Sequence, residues 1–127
     1  MATLQKLGKE ERCPLDLSQM GIGRAPDNEI VVEDDTVSGY HALITVRPSS
    51  KDESVYEHII EDLESTNKTY VNNKEIKTHL LKDGDIIRVG ETRLKFSTKD
   101  YSPSPKTDFK KTTKLTKKRV SSFLFTK

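Results

Sequence analysis

Ser38 and His41 lie three residues apart in the stretch DDTVSGYHALITV, residues 34–46, just ahead of an apolar strand-like run. A hydroxyl within reach of an imidazole is the pairing that makes a nucleophile and its general base. The same two side chains also suit a binding loop, in which the serine holds a ligand and the histidine holds the serine's loop. The catalytic reading demands more: an orienting acid, an oxyanion hole and a strained turn beneath the nucleophile. Asp34 and Asp35 are the acids close enough in sequence to be recruited. We assign no catalytic residue and expect a protein that binds rather than one that reacts.

Two further stretches carry candidate chemistry. In MGIGRAPDNEIVV, residues 20–32, Gly21 and Gly23 flank Ile22, let the backbone turn sharply at a strand end, and leave Arg24 on the loop that follows. A dinucleotide fingerprint would need a third glycine and then a helix, and neither follows. The stretch EDLESTNKTYVNNKEI, residues 61–76, is rich in hydroxyls and amides, again at the end of a β run. His58 and His79 have no Cys or carboxylate clustered at metal-ligand spacing, so both read as structural, and neither a metal nor a cofactor is expected.

Loops can hold such groups together only on a rigid scaffold, and the rest of the chain reads as that scaffold. Short apolar or alternating runs, ATLQKL, EIVV, HALITVR, YEHIIEDL, KTYVNN, DIIRVG and TRLKFS, are separated by turn clusters of Gly, Asn, Asp, Pro or Ser. No window of helical length keeps an apolar period of 3.6 with caps. Strands at this spacing predict an all-β sandwich or barrel. Asn72-Asn73 falls between two strand-like pieces, and Asn tolerates the positive φ of a tight hairpin. Asp83-Gly84 and Gly90-Glu91 mark a closing meander whose Ile86, Ile87, Val89, Leu94 and Phe96 are expected to fill the core.

With 127 residues the chain has the length of one domain, and hydrophobic residues make up 32% against 33% charged. Cys13 is the single cysteine, which excludes a disulfide framework and points to a reducing compartment. No signal peptide or membrane span is legible, so the expected location is the cytoplasm, or the nucleus in a eukaryote. The net charge of +2 hides a division: residues 1–97 hold 13 Lys and Arg against 18 Asp and Glu, whereas residues 98–127 hold 9 against 2. The expected organisation is an acidic domain over 1–97 and a basic Ser/Thr/Lys-rich tail over 98–127 that is disordered in isolation. The closing VSSFLF is apolar enough to dock on the body or on a partner.

Taken in order, G-R-x-x-D-N-x-I, V-S-x-x-H-A, D-L-x-S-T-N-x-T-x-V-N and L-x-x-G-D-x-I-x-x-G resemble the forkhead-associated (FHA) domain over about residues 4–97. The resemblance implies an eleven-stranded antiparallel β-sandwich of the SMAD/FHA-like type whose loops at one end bind phosphothreonine peptides. Phosphate near neutral pH carries close to two negative charges and three acceptor oxygens, so its site wants a guanidinium and several hydroxyl or amide donors. By similarity Arg24 is that guanidinium, Ser38 and Thr66 are donors, and Asn67 binds the peptide backbone. His41 is then architectural, as are Gly23 and Asn72. Two positions depart from the family pattern: Gly39 replaces the usual basic or polar residue that contacts the peptide, and Lys68 replaces a glycine. Lys68 must adopt a positive φ, at a cost of about 1 kcal/mol, or change the turn, and it brings positive charge beside the phosphate. Asn67-Lys68-Thr69 also matches a glycosylation acceptor, which we set aside for want of a secretory signal.

The function implied is a phosphothreonine-binding adaptor acting downstream of a Ser/Thr kinase. The alternatives are an FHA-fold module that binds partners without phosphate, and binding of nucleic acid or another polyanion through the tail, which is disfavoured by its sparse aromatics. The partner is a phosphothreonine-containing protein or peptide; phosphorylated threonines of the tail itself are a further candidate ligand, and no membrane partner is expected.

Overall fold

A computed structural model describes residues 2–50, 55–98 and 123–125, all in strands, turns and loops. Eleven strands lie within the body: β1 Thr3–Lys6, β2 Arg12–Pro14, β3 Gln19–Gly23, β4 Ile30–Val32, β5 Ala42–Pro48, β6 Tyr56–Asp62, β7 Thr69–Val71, β8 Lys74–Ile76, β9 Thr78–Leu80, β10 Ile86–Val89 and β11 Thr92–Ser97. A twelfth, β12, is Phe123–Phe125. They form two six-stranded sheets, ordered β2-β1-β11-β10-β7-β8 and β12-β4-β3-β5-β6-β9.

Period-two alternation places the core between the sheets. In β11, Thr92, Leu94 and Phe96 point inward and are buried, while Arg93 and Lys95 point out. The same rule corrects one expectation: Ile87 and Val89 are fully buried, but Ile86 faces outward and is half-buried, since consecutive strand residues cannot share a face. His58 is a core histidine, its ring 5.1 Å from that of Phe96, and burial lowers its pKa.

The turns follow their residues. Val71 pairs with Lys74 across a two-residue loop in which Asn72 and Asn73 take φ of 53° and 71°, the mirror-image turn that suits the strand twist. Gly90, at φ 61°, opens the turn between β10 and β11, and a Cβ there would collide with Thr36.

The second sheet is mixed rather than purely antiparallel. β3 and β4 pair parallel, Ile22 with Ile30 and Gly23 with Val31, although only residues 24–29 connect them. A connection that short cannot cross over as a helix would; the chain must loop out and return beside its own strand end. That excursion carries Arg24.

β12 also pairs parallel to β4, and Phe125 is 2% exposed. The tail therefore contributes an edge strand at Phe123–Phe125, the docking on the body open to VSSFLF within a tail otherwise expected to be disordered. Residues 99–122 and 126–127 lie outside the described residues, and with them the rest of that expectation and the tail threonines 107, 112, 113, 116 and 126. Among the described residues no helix is long and apolar enough to cross a membrane.

Candidate functional site

Three loops meet at one end of the sandwich: residues 24–29 after β3, 33–41 after β4 and 63–68 after β6. Backbone bonds join the first two, with Arg24 N–H donating to Ser38 O at 3.0 Å and Ala25 N–H to Gly39 O at 3.1 Å. This contact is possible because Gly23 lacks a side chain, since a Cβ there would collide with the Gly39 carbonyl. The buried Asn28 amide donates to Ala25 O at 2.9 Å and to Gly39 O at 2.7 Å, closing the same seam.

His41 joins the second and third loops. Its Nδ1 accepts the backbone N–H of Ser38 at 3.0 Å, and its Nε2 lies 2.9 Å from Lys68 O. An amide can only donate and a carbonyl can only accept, so the ring is the neutral Nε2–H tautomer. Burial, which lowers the pKa, keeps it so. Both nitrogens are occupied, and Ser38 Oγ instead accepts the backbone N–H of Thr66 at 3.0 Å. The nucleophile–base pair is not formed.

Two carboxylates brace these loops. Asp34 accepts from Thr36 N–H at 2.9 Å, Thr36 Oγ1 at 2.6 Å and Thr92 Oγ1 at 2.7 Å. Burial would raise its pKa, but the bonds from Thr36 and Thr92 prevail and hold it at about 2. Asp34 therefore braces the loop and does not orient His41. Asp62 accepts from Ser65 Oγ and, at 2.7 Å, from Thr69 Oγ1; here too hydrogen bonds outweigh burial and the pKa is lowered.

The exposed groups rest on this frame. Arg24 donates through Nε to Val37 O at 3.0 Å, which fixes the guanidinium one residue from Ser38, and neither terminal NH2 group has a partner among the described residues. Asn67 donates one N–H to Thr36 O at 2.7 Å, and its Oδ1 and second N–H have no partner among the described residues. Lys68 takes the strained option, φ 66°, and its side chain is exposed. Gly39 has ordinary φ, and a Cβ there would find only Ala25 Cβ, at 3.9 Å, so nothing steric requires glycine.

Arg24, Ser38, Gly39, His41, Thr66, Asn67 and Lys68 thus share one end of the fold. Asn72 does not join them; it donates to Asp85 Oδ1 at 2.9 Å and accepts from Ile86 N–H at 3.0 Å, a structural role in the β7–β8 turn. Asp85 also takes His79 Nε2 at 3.2 Å, and the described residues contain no cluster of metal-ligating side chains. Sequence reasoning assigned no role to Asn28 or Thr36. Thr36 stands inside a turn-like stretch, where a hydroxyl reads as a local turn former, whereas Asn28 falls within the G-R-x-x-D-N-x-I block, the one signal that could have marked it.

A two-sheet sandwich that gathers a guanidinium, a hydroxyl and an amide on braced loops at one end defines a class of β-sandwich that presents its polar groups on loops. The FHA-domain model matches residues 20–90, more than half of the chain, and the chain belongs to the FHA family. The glycogen accumulation regulator GarA of Mycolicibacterium smegmatis is 34% identical over 94 residues, 74% of this chain and 52% of that protein. The chain spans about half or less of the length of the curated relatives it matches. Among solved structures, a domain from a structural and functional analysis of phosphothreonine-dependent FHA interactions is 31% identical with a TM-score of 0.66, covering 78% of this chain and 97% of that one. The FhaA FHA domain, solved in complex with the intracellular domain of Rv3910, is 32% identical with a TM-score of 0.65, over 76% and 99%.

Proposed function

We propose that this chain is a non-catalytic reader of phosphothreonine peptides acting in Ser/Thr kinase signalling, in the cytoplasm. The observation that carries the reading is the Arg24 guanidinium, anchored through Nε beside Ser38, with both NH2 groups unpartnered among the described residues. Planar paired donors match two phosphate oxygens at once. Ser38 Oγ already accepts the Thr66 N–H, so its own hydrogen is left to donate. The Thr66 amide is spent in that bond, which leaves the Thr66 hydroxyl as the second donor. Asn67 holds the peptide backbone through its unused Oδ1 and N–H, and Lys68 adds charge at the rim. His41, Gly23 and Asn28 act through the loops they position.

The solved domain of phosphothreonine-dependent interactions supports this ligand class by similarity. The test is calorimetric titration with a degenerate phosphothreonine peptide library and its unphosphorylated twin. Binding near micromolar, about −8 kcal/mol, to the phosphorylated library alone is the expected result. Equal heats from both libraries would transfer the function to a phosphate-independent surface.

A further inference from the structure

The outward face of the first sheet carries charge of the wrong sign for the domain. Register sets Arg88 directly opposite Arg93 across β10 and β11, and sets Gln5 between Lys95 and Arg12 across β11, β1 and β2. Their strand neighbours Ile87, Leu94 and Cys13 are buried, so alternation turns all four cations outward. Among the strand residues of this sheet one carboxylate shares the face, Glu75, at the β8 edge beyond Tyr70. This occurs in a body where Asp and Glu outnumber Lys and Arg by 18 to 13.

Like charges directly opposite in a sheet are destabilising, and none of these four cations forms an ion pair with a described carboxylate. Arg88 is nevertheless held in place: its guanidinium carbon lies 4.2 Å from the Tyr70 ring centroid and its Nη1 donates to Gly90 O at 3.1 Å. A shallow hollow of about 310 Å3 lies between the two arginines, Ile86 and the Asn72–Asn73 turn. Leu7, which follows β1 and bonds to Arg93 O, is 44% exposed at the margin. A fixed arginine, a second beside it, tyrosine and aliphatic surface are the composition of an interface centre.

We propose that this face is a docking surface for an acidic, Asp/Glu-rich segment of a partner protein, separate from the loop site. Carboxylates complement paired guanidinium groups directly. A short acidic segment feels the local patch, whereas a long nucleic-acid backbone extends over the surrounding negative surface, which disfavours it.

The test is fluorescence anisotropy at low salt with a labelled Asp/Glu-rich dodecapeptide, its Asn/Gln counterpart and a single-stranded DNA of equal length. The chains are the full protein, the Arg93→Glu/Lys95→Glu variant and Arg24→Ala. The acidic peptide is expected to bind the full protein and Arg24→Ala alike, to weaken with salt, and to lose at least tenfold in affinity on Arg93→Glu/Lys95→Glu. Should that variant misfold by circular dichroism, Arg93→Gln/Lys95→Gln is expected to show a smaller loss in the same direction. Binding that survives either double variant would assign the acidic peptide to the basic tail and overturn the proposal. So would absence of binding, or DNA binding tighter than the peptide. A phosphothreonine peptide titrated against the same variants reports separately on the loop site.

Discussion

The backbone N–H of Ser38 donates to Nδ1 of His41 at 3.0 Å, while the other ring nitrogen meets the Lys68 carbonyl at 2.9 Å. One neutral imidazole therefore sets the spacing between the loop bearing Ser38 and the loop bearing Thr66 and Asn67.

Replacing buried His41 with Ala leaves the part-buried Ser38 N–H and the Lys68 carbonyl unpartnered and opens a void. The expected loss is about 2–4 kcal/mol of stability, read from urea unfolding. Phosphopeptide affinity should fall at least tenfold although His41 touches no ligand. Intact affinity in a folded His41→Ala protein would show that the loops hold their spacing without it.

Stability should decline with acid in two steps. His41 and His58 have folded pKa values below the ordinary 6.5, because burial disfavours the charged ring. Between those lowered values and 6.5 the unfolded chain binds more protons, so their contribution is complete above pH 6.5 and is lost as the pH falls below it. Asp34, at about 2 against 3.8, and the lowered Asp62 and Asp85 contribute fully above 3.8 and are lost as the pH falls through their folded values. Urea midpoints measured from pH 8 to pH 3 should show both steps, and His41→Gln should shrink the first alone. A flat profile between pH 7 and pH 5 would contradict the neutral buried imidazoles.

Gly39→Arg should bind phosphopeptide more tightly. The site has room, with Ala25 Cβ at 3.9 Å from the added Cβ, and no positive φ to strain. One new charge-assisted hydrogen bond is worth about 1 kcal/mol, or roughly fivefold in affinity, at unchanged thermal stability. A fall in affinity would mean that the loop needs glycine for closure on the peptide.

Phe125→Ala should destabilise the domain by about 1–3 kcal/mol. The loss is bounded by the docking energy of a three-residue strand, which can detach without global unfolding. Faster hydrogen exchange at the Glu33 amide, which donates to Phe125 O at 2.8 Å, is the specific readout. Unchanged exchange there would show that β12 contributes nothing to the edge it covers.

Much of this was legible in the sequence. The blocks around Arg24, Ser38, His41 and Asn67 are distinctive in residue type and order, and the Asn72-Asn73 turn announces itself through the only φ range its hairpin allows. Partners were harder to read. Alternation tells which way a side chain faces but not which strand lies alongside, so the parallel β3–β4 pair and its looped connection stayed hidden. Ile86 was placed in the core by its hydrophobicity when its neighbour Ile87 already claimed that face. The apolar run at Phe123–Phe125 was legible as a docking segment, but composition does not say whether the body or a partner receives it, nor that β4 offers the edge.

The central claim is that Arg24 and the ligand phosphate recognise each other. A double-mutant cycle tests this, pairing Arg24→Ala with removal of the phosphate from one tight-binding peptide selected from the library, all four affinities being measured by calorimetry. We predict a coupling energy of about 1.5–3 kcal/mol, with phosphate worth little once Arg24 is gone. Additive effects, with the phosphate retaining its full contribution in the Arg24→Ala protein, would contradict the account.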